Sequence, residues 1–244
     1  MSTCTILHTS DFHNRLTPAK AQHLARLKAE APDALLLDSG DAIGAGNLGF
    51  RPRGEPALRL MTEAGYDAMA MGNRESHPTR AVLERKLADA GFPVLAANLM
   101  AKRQPLPEKV RSHIIKRLPN GLRVAVVGLA PQITRPDSWW GRVTDYVFAD
   151  PEKTAAGLVR KLRPEADLVI LLTHLGPGWD RRLAAVPGVD LVLGGHGHVE
   201  IMPPEQVGAA YVAHPGAYAE AVARIAVEVG DGKVERVAGE LIAL

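Results

Sequence analysis

The sequence predicts an α/β fold organised as one mixed domain. Three observations carry that expectation. Short apolar, β-branched runs alternate with stretches of helical spacing over most of the chain. Polar residues recur just past the ends of those runs, and the last part reads as strands joined by a tight turn. At 244 residues, with 46% hydrophobic and 23% charged side chains, the chain has the makings of an ordinary globular core. A formal net charge of +2 is too small to argue for a nucleic acid or a membrane surface as partner. A single cysteine, Cys4, excludes an intrachain disulfide and fits a reducing compartment. The N-terminus lacks a basic segment followed by a long apolar one, and no apolar run approaches the roughly 20 residues that span a bilayer. The expectation is a cytoplasmic, soluble protein.

Residues 3–9 are apolar and β-branched and read as a first buried strand, ending at Ser10-Asp11-Phe12-His13. A carboxylate and an imidazole two positions apart at a strand end can face one ion, although such a pair also occurs in plain polar turns. Residues 18–31 have helical spacing, with Leu24 and Leu27 on one face. Residues 33–38 form a second strand running into Ser39-Gly40-Asp41. Gly44-Ala45-Gly46-Asn47-Leu48-Gly49 matches the dinucleotide fingerprint Gly-x-Gly-x-x-Gly, but that fingerprint opens a helix directly after its strand. Here residues intervene on both sides, and a flexible loop beside the site is the better account.

A helix over 55–64 stops at Gly65, and a strand over 66–71 leads to Gly72-Asn73-Arg74-Glu75. A helix over 79–90 stops at Gly91, and a strand over 92–98 ends at Asn98. Residues 110–118 and 122–129 read as a hairpin around Pro119-Asn120-Gly121. Residues 130–148 are loop-rich and hold Trp139 and Trp140. A helix opens at Pro151 and runs to 162, and a strand over 167–173 ends at His174. A short helix near 180–185 precedes a strand over 189–193 and then Gly194-Gly195-His196-Gly197-His198. Alternation along an extended chain would put His196 and His198 on one side, and glycines remove Cβ atoms that would hold a ligand at a distance. Strands over 210–214, 221–229 and 233–242 close the chain, the last two joined at Asp231-Gly232.

Asp11, His13, Asp41, Asn73, His174, His196 and His198 all follow strands. Ligands of open α/β sheets gather outside the carboxyl ends of strands. Seven nitrogen and oxygen donors exceed one ordinary metal site and suit two cations bridged by a shared carboxylate. Mixed imidazole and carboxylate donors suit manganese, iron, zinc, nickel or cobalt better than calcium. No Ser–His–Asp ordering stands out, and Cys4 lies within a strand away from any basic neighbour.

The ordered strings Ile6-Leu7-His8-Thr9-Ser10-Asp11-Phe12-His13, Gly40-Asp41, Gly72-Asn73, Thr173-His174 and Gly194-Gly195-His196-Gly197-His198 resemble the calcineurin-like metallophosphoesterases, and more narrowly the catalytic domain of the 5′-nucleotidase branch. The resemblance covers about residues 3–229. It implies a four-layer α/β/β/α sandwich with two mixed β-sheets. It further implies that Asp11, His13, Asp41 and His198 hold one divalent metal and Asp41, Asn73, His174 and His196 a second, with Asp41 bridging. The implied reaction is attack on phosphorus of a small phosphate ester by a metal-bound hydroxide.

Two departures qualify that expectation. The family pattern places a histidine after the asparagine, where it protonates the leaving oxygen; here that position is Arg74, which stays charged at any working pH. Arg74 can instead grip a phosphate oxygen or mark a weak or inactive enzyme, and His77 is the remaining candidate proton donor. The chain also ends near the close of the catalytic domain. One domain over 1–244 is therefore expected, without the C-terminal domain that selects nucleosides in larger nucleotidases, and nucleotide specificity does not carry over. Trp139 and Trp140 are candidates to stack a base, with packing beneath their loop the stronger expectation. Asn98 is a candidate substrate contact, a support for the ligands or a plain strand cap.

Overall fold

The computed structural model describes residues 2–230 and 232–244. In chain order the first half runs β1 (Ser2–Thr9), α1 (Pro18–Ala29), β2 (Leu35–Asp38), α2 (Pro56–Ala64), β3 (Ala68–Ala70), α3 (Arg80–Lys86), β4 (Val94–Leu95), β5 (Leu99–Ala101), β6 (Val110–Arg111), β7 (His113–Arg117) and β8 (Arg123–Leu129). The second half runs α4 (Trp139–Val143), β9 (Tyr146–Phe148), α5 (Pro151–Leu162), β10 (Leu168–Thr173), α6 (Pro177–Ala184), β11 (Leu191–Leu193), β12 (Glu200–Val207), β13 (Ala210–Pro215), β14 (Ala221–Gly230) and β15 (Lys233–Ala243).

Two mixed sheets stand face to face. The first has the order β15-β14-β1-β2-β3-β4-β6 and the second β12-β13-β11-β10-β8-β7. Alternation along the strands explains the layers. Ile6, Leu35, Leu37 and Ala68 of the first sheet pack against Val124, Val126, Leu168 and Ile170 of the second. The opposite faces of the same strands take the helices. Leu7, Leu36 and Met69 meet Leu24, Leu58, Met61 and Leu83, while Val127, Val169 and Val192 meet Ala155, Val159 and Leu183. The order helix, sheet, sheet, helix is the expected four-layer sandwich.

Local chemistry sets the helix ends. Thr17 and Asp150 accept the Lys20 and Lys153 N–H groups as N-caps, each followed by proline in the first turn. Gly65 ends α2 in the left-handed conformation.

Several expectations need correction. The strand over 92–98 is only β4; the chain then turns, and β5 pairs with β9 in a separate ribbon. Of the segment 110–118, Val110–Arg111 joins the first sheet and His113–Arg117 the second, so the chain changes sheets at Ser112. β12 has no counterpart in the sequence reading, because Pro203 and Pro204 argue against a strand. It lies at a sheet edge, where a missing N–H is tolerated. Gly194–His198 lies beyond β11 and is not extended: His196 and His198 adopt φ of 71° and 52°. Turns, not strand alternation, bring these two imidazoles to the same side. The turn expected at Asp231-Gly232 involves Asp231, which lies outside the described residues.

Candidate metal centre

The parallel strands β1, β2 and β3 of one sheet and β10 and β11 of the other all point their carboxyl ends at one edge of the sandwich. The segments that follow are zipped together by backbone. The Asp11, His13 and Asn14 N–H groups donate to Gly40, Asp41 and Ala42 carbonyls at 2.9, 3.0 and 2.8 Å. Five of the seven predicted ligands sit in the left-handed region, with φ of 53° at Asp11, 47° at His13, 56° at Asp41, 71° at His196 and 52° at His198. Non-glycine residues rarely occupy that region, and such strain concentrates at functional sites.

The donors converge. Carboxylate and imidazole atoms of Asp11, His13 and His198 lie within 4.8 Å of one another, as do those of Asp11, Asp41 and His174. His13 Nε2 and His198 Nε2 are 2.9 Å apart, and His198 Nε2 is 3.2 Å from Asp11 Oδ1. His174 Nε2 lies 3.4 Å from Asp41 Oδ1 and 3.9 Å from Asp11 Oδ1. His196 meets His174 at 3.3 Å, and its backbone N–H donates to Asp11 Oδ2 at 2.9 Å. Asp11 is common to these two groups, and Asp41 Oδ1 adjoins His174 in the second. Asp11 Oδ1 and Asn73 Oδ1 are buried and have no hydrogen-bond partner. Buried oxygens are seldom left so; Asp11 Oδ1 stands among the imidazoles, and Asn73 lines the cleft beside them. These residues fit divalent cations.

The surroundings orient the rings. His174 Nδ1–H donates to the Ser39 carbonyl at 2.7 Å, leaving Nε2 for the centre. Tyr218 Oη bonds His198 Nδ1 at 3.1 Å, which turns its Nε2 inward in the same way. Ser10 Oγ donates to Asp11 Oδ2 at 2.5 Å. Glu75 lies beneath Asp41 and accepts from the Asp41, Gly72 and Ile43 N–H groups at 2.9, 3.0 and 3.2 Å. Close approach explains two glycines: a Cβ on Gly72 would stand 2.3 Å from Asp41 Oδ1, and one on Gly195 would stand 2.2 Å from Ser10 Oγ.

Charge follows from this packing. Burial works against the Asp41 carboxylate, but His174 and the Arg74 N–H outweigh it and hold the group below its usual range. Burial would also lower His174, yet the hydrogen bond and charge of Asp41, with Asp11, carry it up to about 9. Burial, with the charge of Arg74, holds His13 low, and burial with His174 does the same for His196. Glu75 is pushed up to about 7 by burial and by Asp41.

Above the donors lies an open cleft of about 480 Å³, walled by His13, Arg15, Asp41, Asn73, Arg74, His196, His198 and Tyr218. Arg74 leans toward the carboxylate, with Nε 3.6 Å from Asp41 Oδ2 and its backbone N–H donating to Asp41 Oδ1 at 2.8 Å. The Arg15 guanidinium stacks 4.3 Å above the Tyr218 ring.

The other candidates fall elsewhere. His77 lines a separate small cleft with Leu48, Ile133 and Phe148, and its Nδ1 accepts the Thr79 N–H at 3.0 Å. It is not a wall of the metal cleft. Asn98 is fully buried: its Nδ2 donates to the Ala130 carbonyl at 2.8 Å and its Oδ1 accepts the Ala130 N–H at 2.9 Å. It clamps two loops together and offers substrate no surface. Trp139 and Trp140 are 66% and 65% exposed, edge to face with each other, so neither packs under its loop nor walls the cleft. Their helix α4 is held from its other side, where Lys102 Nζ donates to the Gly141, Arg142 and Thr144 carbonyls, and the indoles turn outward.

Sequence reasoning does not single out Tyr218, Arg15, Glu75 or Ser10 as site residues. Arg15, Glu75 and Ser10 adjoin predicted ligands, and that adjacency is an available signal. Tyr218 follows β13 with no motif around it, and its own φ of 63° is invisible in sequence.

Comparison with known proteins agrees with this fold. A 5′-nucleotidase of Homo sapiens is 34% identical over 218 residues, 79% of this chain and 37% of that protein. The trifunctional nucleotide phosphoesterase protein YfkN of Bacillus subtilis is 30% identical over 234 residues, 80% of this chain and 16% of its own length. The chain thus spans half or less of most of the curated relatives it matches. In structure, a 5′-nucleotidase precursor from Thermus thermophilus superposes with a TM-score of 0.84 at 24% identity, over 100% of this chain and 55% of that one, which shows the shared fold. The sequence model of the calcineurin-like phosphoesterases matches residues 4–200, a stretch that contains all seven predicted ligands, and the chain belongs to that family.

Proposed function

We propose that this chain is a dinuclear-metal phosphoesterase that hydrolyses a small phosphate ester: a nucleotide, a cyclic nucleotide or another phosphomonoester or diester. The observation that carries this reading is the pair of donor clusters sharing Asp11 at the floor of an open polar cleft. Bound there, two divalent cations (manganese, iron, zinc, nickel or cobalt) supply neutralisation of phosphoryl charge and water acidified enough to attack near neutral pH. Asp11, His13, Asp41 and His198 would hold one, and Asp41, Asn73, His174 and His196 the other, with Asp41 shared.

The protein's own groups do the rest. Ser39, Tyr218 and Ser10 fix the orientation of His174, His198 and Asp11. Arg74 and Arg15 place two permanent cations on the walls, and a guanidinium fork matches phosphoryl oxygens. Arg74 cannot release a proton to the leaving oxygen. With His77 committed to Thr79, that proton comes from water in the open cleft, which favours esters with acidic leaving groups. The names of the relatives favour nucleotides among these esters. The same reading takes residues 1–244 as one catalytic domain acting in the cytoplasm, without nucleic-acid or membrane partners. Its support is the small net charge and the single thiol, Cys4, which burial and then the charge of Asp33 push up to about 12. Among the described residues no helix is long and apolar enough to cross a membrane. Cell fractionation that finds the protein outside the cytoplasm would remove that placement.

The test is hydrolysis of bis-p-nitrophenyl phosphate and p-nitrophenyl phosphate by Mn²⁺-loaded protein, with loss of turnover on chelation and in Asp41→Asn. No turnover across monoesters, diesters and pyrophosphates refutes it. Arg74 favours one second reading, a metal- and phosphate-holding module of little or no activity. Phosphate binding without turnover in both the wild type and Arg74→His would support that alternative.

A further inference from the structure

Asn73 enters the centre through its amide oxygen, and an amide can present either end. Asn73 lines the cleft together with His13, Asp41, His196 and His198; its Nδ2 donates to Asn47 Oδ1 at 3.0 Å, and its Oδ1 is left buried and unpartnered. Without that hydrogen bond, the NH₂ and oxygen ends are nearly isosteric and differ only in what they meet. Asn47 belongs to the glycine-rich loop 44–49, which matches a dinucleotide fingerprint in sequence but is bends and turns and opens no helix. The loop's position is not left free. Lys86, almost fully buried, points its ammonium at four backbone carbonyls: Gly46 at 2.9 Å, Asn47 at 3.1 Å, Arg74 at 2.6 Å and Ser76 at 3.0 Å. One cation therefore bolts the glycine loop to the loop that carries Asn73, and the Gly49 N–H bonded to the Gly46 carbonyl at 3.1 Å closes the turn that presents Asn47.

We infer that Asn47 is a positioning residue for metal binding: it holds the Asn73 amide with its oxygen toward the cation, and the loop 44–49, anchored by Lys86, exists to place it. The inference rests on the reading of Asn73 as a ligand. Partners that orient a metal ligand typically contribute 10–100-fold to metal affinity or activity.

The experiment is calorimetric titration of Mn²⁺ into full-length wild type, Asn47→Ala, Asn47→Asp, Asn73→Asp and the double variant Asn47→Ala/Asn73→Asp, with circular dichroism as a check on folding. Asn47→Ala should weaken one Mn²⁺ site by about 10–100-fold, and Asn47→Asp, which keeps the acceptor, should restore most of it. In the Asn73→Asp background both ends of residue 73 are oxygen, no orientation remains to be held, and Asn47→Ala should cost no affinity. Unchanged affinity in Asn47→Ala overturns the inference, as does an equal loss in the Asn73→Asp background, which would make the loop a general support. Wild type that takes up no Mn²⁺ would instead sink the metal-centre reading itself, so the two failures are distinct.

Discussion

Titrating Mn²⁺ into chelator-treated protein at rising pH perturbs one well-defined group, the His174 imidazole. Its Nδ1–H is fixed on the Ser39 carbonyl, and its Nε2 faces Asp41 Oδ1 at 3.4 Å and Asp11 Oδ1 at 3.9 Å. Those carboxylates overcome burial and hold the ring protonated up to about 9. A metal accepts only the neutral ring, so the proton must leave. At a pH about one unit below that value, expelling it costs about 1.4 kcal/mol, or a tenfold weakening. His13 and His196 are held below the ordinary imidazole range, chiefly by burial, so they add less to the release than His174. Glu75, at about 7, is largely ionised once the pH passes that value. Between about pH 7.5 and 8.5, Mn²⁺ affinity should therefore climb close to tenfold per pH unit. Calorimetry in two buffers of different ionisation enthalpy reads the proton directly. About one proton per protein should be released near pH 7.5, and the release should vanish in His174→Gln. Equal heats in both buffers, or an affinity flat with pH, would refute the argument.

Three further outcomes follow from the geometry. Arg74→His should raise turnover of esters with poor leaving groups by about 10²–10⁴-fold while changing aryl phosphates little, because it installs a proton donor that acidic leaving groups do not need; a plot of rate against leaving-group pKa, equally steep in both proteins, would contradict it. Gly195→Ala pushes a methyl group to 2.2 Å from Ser10 Oγ and 3.1 Å from Asp11 Oδ2 and His174 Nδ1. It should lower stability by about 1–3 kcal/mol and weaken metal uptake, both measurable by urea unfolding with and without Mn²⁺. Lys86→Met strips four carbonyls of their shared donor and should destabilise the fold by about 3 kcal/mol; a urea midpoint within error of wild type would show that the bolt is dispensable.

Much of the centre was legible because ligands had to follow strands. β1, β2, β3, β10 and β11 each announce themselves as a short apolar run with a polar residue at or a few positions past its end, and family motifs pointed to seven candidate donors. The helix α5 was readable to the residue, since Asp150 and Pro151 mark its start. What escaped depends on tertiary pairing. The switch of sheets at Ser112 is not encoded by any breaker residue, and the two prolines of β12 hide an edge strand. His77 looked available because its commitment to Thr79 is a matter of side-chain rotation. Asn98, at the end of the strand expected over 92–98, looked like a residue facing the cleft, but it stands in the turn between β4 and β5 and its amide bonds Ala130. The indoles of Trp139 and Trp140 suggest burial by composition; the Lys102 anchor on α4 overrides it.

The left-handed backbone at Asp11, His13, Asp41, His196 and His198 sets robustness against duty. Each of those side chains costs about 1 kcal/mol where glycine would cost nothing comparable. Replacing His196 or His198 by glycine should thus yield a chain that melts later and grips no ion there. Selection for durability alone would erode this corner of the molecule first, and the presence of bulky donors in such conformations is the mark left by a working requirement on an otherwise relaxed scaffold.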